Sequence, residues 1–221
     1  MDSRFPSWLR FILAKLDFLA IPNLAPLVVG LIILGFVGQN ILGASFDRFV
    51  FDPVLVLQGE WWRIFAFPVA QGGSDPIWLL FECMWMYFLV NSLEEQWGPG
   101  PLTIYMIFGY AMCVVASFLT LIPVPIWYYL MFNITFAAST LFPDYQMMLF
   151  FILPVKMKWM GWVFGAWFGY KFLLGSNDLK IILFLCFSPY LVFFLPLLYQ
   201  SLKNRSRLAK HKKRFDQDMW R

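Results

Sequence analysis

The residue most able to do chemistry is a carboxylate in the wrong solvent. Glu82 lies inside the apolar stretch Ile77 to Asn91. A carboxyl group within a bilayer is costly unless it is protonated, paired or wet. Glu82 therefore either lines a polar groove or proton path, or is held neutral by a hydrogen bond to a backbone group or a tyrosine. Other candidates are few. The only histidine, His211, sits in a basic tail, which leaves no imidazole in the apolar segments for proton transfer or metal binding. Cys83, Cys113 and Cys186 all fall in apolar runs without metal-ligand spacing. They read as small buried hydrophobes, with no metal, cofactor or disulfide framework expected. Ser117 and Ser139 lie in apolar segments, where small polar residues mostly mediate helix packing. A serine-lysine pair would need Lys171, and nothing in the sequence brings it to Ser139. Gly161, Gly165 and Gly169 share one helical face, which permits close approach of another helix.

The elements that must position these groups are apolar throughout. Hydrophobic residues make up 61% of the chain and charged ones 14%, with a mean hydropathy of +0.67. A soluble globular domain of that composition would expose too much apolar surface, so an all-α membrane protein is expected. Eleven tryptophans, 26 phenylalanines and nine tyrosines suggest short or oblique spans with much interfacial surface. A helix needs roughly 20 apolar residues to cross a hydrocarbon core of ~30 Å. Six stretches approach that length: about Leu24 to Leu42, Ile77 to Asn91, Pro101 to Leu121, Pro125 to Phe142, Trp159 to Leu174 and Leu179 to Tyr199. Residues 1–22 form an amphipathic lead-in, residues 23–200 the membrane domain and residues 201–221 a basic tail. The first loop, residues 43 to 76, carries Trp61, Trp62, Phe65 and Phe67 around Arg63 and is expected to lie partly in the outer leaflet. Residues 145 to 158 hold an apolar run too short to span, broken by Pro154, and read as re-entrant or surface-lying.

Lysine and arginine set the expected orientation. Arg4, Arg10 and Lys15 precede the first span, and eight of the 17 basic residues follow the last, from Lys203 to Arg221. Both termini are expected in the cytoplasm, which requires an even number of crossings. A bacterial cytoplasmic membrane is the default location, or the endoplasmic reticulum membrane in a eukaryote. The tail suits anionic lipid headgroups and requires no nucleic-acid partner.

Three motifs occur in order: Gly59-Glu60-Trp61-Trp62-Arg63, Leu93-Glu94-Glu95-Gln96-Trp97-Gly98 and Leu141-Phe142-Pro143. Their order and spacing resemble the rhomboid superfamily of six-span intramembrane proteases and their inactive relatives, over roughly residues 24 to 200. The first resembles the family's tryptophan-arginine motif, and Glu94 with Gly98 matches its glutamate and glycine at the end of span two. Arg63 is expected to pair with headgroup phosphate or cap backbone carbonyls, with Trp61 and Trp62 at the interface. One of Glu94 and Glu95 is expected to accept hydrogen bonds from the Gly-Pro turn that follows, the alternative being two solvated carboxylates.

The resemblance implies a catalytic pattern that this chain lacks. The nucleophile position falls near Tyr128, the histidine position near Tyr190, and the family's second-span His-x-x-x-Asn becomes Trp78-x-x-x-Glu82. A carboxylate there opposes a developing oxyanion, and a serine without its base is a weak nucleophile. The implied function is that of a Derlin-like pseudoprotease, which binds transmembrane segments of client proteins, perturbs the bilayer and serves membrane-protein quality control or trafficking. Lipids, client proteins and a soluble extraction factor are the expected partners. The alternatives are a proton-coupled or small-solute transporter using Glu82, and a protease using Ser139.

Overall fold

The computed structural model describes residue 11 and residues 13–40, 50–66, 75–149 and 153–196. The expected tail, residues 201–221, and His211 lie outside them, as does Phe67. The fold is mostly helical: α1 (Leu24–Asn40), α2 (Pro53–Leu57), α3 (Arg63–Ala66), α4 (Pro76–Trp97), α5 (Pro99–Thr120), α6 (Ile126–Leu141), α7 (Met157–Leu174) and α8 (Asn177–Pro196). Three of these, α4, α5 and α8, are long and apolar enough to cross a membrane, while α1 is a shorter apolar helix.

Local chemistry fixes the helix ends. Asp75 starts α4 by accepting from the Ile77 amide at 2.9 Å, with Pro76 in the first turn, where a missing N–H costs nothing. At the other end Gly98 turns to φ +85°, a left-handed conformation that glycine adopts without strain. The α4–α5 corner is therefore one residue wide. Glu94 and Glu95 fall in the last turn of α4, which extends past the expected end at Asn91, and α5 begins at Pro99 rather than Pro101. Pro143 lacks the N–H that would continue α6.

The expectation of a purely helical chain fails between α6 and α7. Strands β1 (Gln146–Leu149) and β2 (Leu153–Lys156) form an antiparallel hairpin, with Gln146 opposite Lys156. Its base is closed by the Met157 amide donating to Tyr145 O and the Lys158 amide to Pro143 O. Asp144 lies 3.7 and 3.9 Å from the ammonium groups of Lys156 and Lys158. The Tyr145 ring stacks on Phe88 of α4, 4.8 Å between centroids, so the hairpin is tied to the bundle.

Two apolar clusters hold the helices together. The larger joins α1, α4, α5, α6 and α8 through residues such as Val28, Leu89, Tyr105, Ile134 and Phe194. The smaller, at the opposite end, gathers Phe51, Cys113, Ile126, Leu130 and Cys186. Phe51 is buried, pairs with Val124 as a backbone bridge and meets the Phe118 ring edge-on. The stretch 50–66 thus plugs into one end of the bundle. The N-terminal stretch is also docked: Leu13 is buried, the Ile21 amide donates to Thr103 Oγ1 at 3.2 Å, and the Asp17 side chain fills the space a Cβ on Gly100 would need.

Candidate functional site

Glu82 projects from α4 toward the start of α6, where the Trp127 indole Nε1 donates to its Oε1 at 2.8 Å. The partner is an indole, not the backbone group or tyrosine that the sequence suggested. Trp127 is buried in the larger apolar cluster, so its N–H is aimed by the core. Trp78, one turn earlier on the face of α4 that bears Glu82, is 57% exposed, and Tyr128 is 37% exposed. The resulting feature is a carboxylate with aromatic side chains about it, partly open to the molecule's outer surface.

The positions matched to a catalytic pair are far apart. The Tyr190 hydroxyl lies 2.7 Å from Thr140 Oγ1, near the end of α6, and its ring packs on Phe136, Phe187 and Phe194. Thr140 follows Tyr128 by twelve residues, about 18 Å along the helix axis. Tyr128 and Tyr190 therefore share no site. Ser139 and Lys171 do not meet either. The Ser139 hydroxyl donates to Phe136 O at 2.9 Å, and its Oγ lies 2.5 Å from where a Cβ on Gly161 would stand. Lys171 is ten residues, about 15 Å, farther along α7, with its ammonium 5.8 Å from the Trp167 ring centroid.

A polar seam between α6 and α8 escaped the sequence reading. Asn133 is buried, and its Nδ2 donates to Tyr129 O and, across to α8, to Cys186 O, both at 2.8 Å. Tyr105 of α5 donates to Asn133 O at 3.0 Å. Beside the seam, Pro189 has no N–H for Leu185 O, and Ser188 Oγ donates to that carbonyl instead, at 2.7 Å. The local signals were a lone asparagine in an apolar segment and a Ser-Pro pair within a helix.

Glu94 does something other than hold the Gly-Pro turn. Its two carboxylate oxygens accept from the Asn23 and Leu24 amides, at 2.7 and 2.9 Å, and so cap the N-terminus of α1. The turn itself is closed by the backbone, the Gly98 amide donating to Glu94 O at 2.7 Å. Glu95 accepts from Asn91 Nδ2. The correction is physical: α1 packs along α4, so the last turn of α4 faces the orphan amides of α1.

Of the roles open to Arg63, the structure has the carbonyl-capping one. Arg63 is 5% exposed, pairs through Nε with Glu60, and donates from a terminal nitrogen to Val50 O at 3.0 Å. Its guanidinium lies 5.1 Å from the Trp62 ring centroid, and the Tyr110 hydroxyl donates to the carbonyl of the next residue, Ile64. Trp61 and Trp62 are exposed.

The glycine face of α7 divides. Gly161 is closed against Ser139, Gly165 is in ordinary contact with Phe136, and Gly169 faces open space. No group of metal-ligating side chains occurs among the described residues.

Set against known proteins, the chain matches no family model, no curated protein and no solved structure. Its function must be argued from the molecule itself.

Proposed function

We propose that the chain is a non-catalytic, six-span, rhomboid-like membrane protein that binds transmembrane segments of client proteins and thins the bilayer around itself. The reading has both termini in the cytoplasm, α1 and α4 to α8 as the spans, and residues 50–66 at the opposite face. One observation carries it. Helices α6 and α7 have 16 and 18 residues, hence lengths of about 24 and 27 Å, short of a hydrocarbon core of ~30 Å. Short spans draw the leaflets together, and a client helix of marginal stability gains by leaving ordinary bilayer for such a zone. Exposed Trp159 and Trp162 in the first turns of α7, with Trp61 and Trp62 in the first connection, supply interfacial anchors. The separation of Tyr128 from Tyr190, and of Ser139 from Lys171, favours binding without cleavage.

The test is photocrosslinking in proteoliposomes from a reactive residue placed at Trp61, with reporter helices of graded hydrophobicity. Capture should favour the less stable helices and fall when Trp62→Ala and Trp162→Ala are combined. Equal capture of a polyleucine helix, or cleavage of any reporter above solvent background, would overturn the reading.

A further inference from the structure

The geometry points to Glu82 as the receptor for a basic side chain carried by a client's transmembrane helix. This rests on the client-binding reading and names what the client offers. Oε1 of Glu82 takes the Trp127 N–H, and no ion pair joins Glu82 to a cation among the described residues. A carboxylate has more acceptor capacity than one indole satisfies. Its surroundings have the complementary character. Trp78 is on the same face one turn away, Tyr128 follows Trp127 at the start of α6, and both are exposed at the outer surface. Aromatic faces beside a carboxylate attract ammonium and guanidinium groups.

Depth favours a helix side chain over a lipid headgroup. Glu82 is the seventh residue of α4, about 9 Å along the axis from Pro76. A headgroup amine stays at the interface. A lysine or arginine within a span must instead snorkel or find a partner, and its long stem reaches sideways to one. Pairing removes a cost from both helices. Charge complementarity therefore selects a client with a basic residue about two turns below its entry into the bilayer.

Purified full-length protein in zwitterionic proteoliposomes is offered three reporter helices, identical but for lysine, leucine or glutamate at that depth. Each carries a diazirine on the adjacent residue. The native protein should capture the lysine reporter about fivefold over leucine, a preference that corresponds to about 1 kcal/mol. Glu82→Gln keeps an acceptor for Trp127, and it should capture lysine and leucine reporters equally. Glu82→Lys should prefer the glutamate reporter; if that variant does not fold, the glutamine variant decides alone. Equal capture of lysine and leucine by the native protein overturns this inference and leaves client binding standing. Failure to capture any reporter overturns both.

Discussion

The Trp127 indole and the Glu82 carboxylate join the second residue of α6 to the seventh of α4 through a 2.8 Å hydrogen bond. Removing only the donor strands the carboxylate. Trp127→Phe should lower stability by about 1–2 kcal/mol, read as a lower thermal midpoint in detergent micelles. The double variant Trp127→Phe with Glu82→Leu should recover most of that loss, because the stranded group is gone. Additive losses would mean that the bond contributes nothing.

Glu94 should matter through α1 rather than through the turn beside it. Glu94→Ala deprives the Asn23 and Leu24 amides of their acceptors and should cost about 1–2 kcal/mol, the usual range for a helix cap. Hydrogen exchange should rise at the start of α1 and remain unchanged at Gly98, whose amide bonds to backbone. The reverse pattern would restore the hinge role.

The three glycines of α7 should behave differently from one another. Gly161→Ala drives a methyl group into Ser139 and should cost about 1–3 kcal/mol. Gly169→Ala meets nothing and should leave the thermal midpoint unchanged or slightly raised. Equal effects at both positions would contradict the packing of α6 on α7.

Ser188 and Pro189 should be coupled. Ser188→Ala leaves Leu185 O without its donor and should destabilise by about 1 kcal/mol. In a Pro189→Ala background the helix supplies that donor from the backbone, and the same serine substitution should have little effect. A double-mutant cycle measures the difference directly.

The six long helices were legible because each is a sustained apolar stretch ended by glycine, proline or a polar turn. Their boundaries shifted where a cap decides them, as at Gly98. The hairpin was not legible. Its residues are apolar without alternation, and Pro154 argues against a strand, although it is tolerated on a two-stranded ribbon with free edges. The partners of the polar residues were hidden for a different reason. Glu94 reaches a helix start some 70 residues away, and Glu82 an indole 45 residues away. Residue type marked both as needing something, and only packing says what. Arg63 shows the same limit: sequence placed it near an interface, and burial turned it toward Glu60 and Val50.

The cap on α1 bears on how the chain is made. The amides of Asn23 and Leu24 emerge from the ribosome about 70 residues before the carboxylate that receives them. Until Glu94 is translated, the leading helix has a frayed start, and its settled position must wait for the end of α4. The nascent chain is thus expected to mature as a pair of helices, the first one provisional until the fourth arrives.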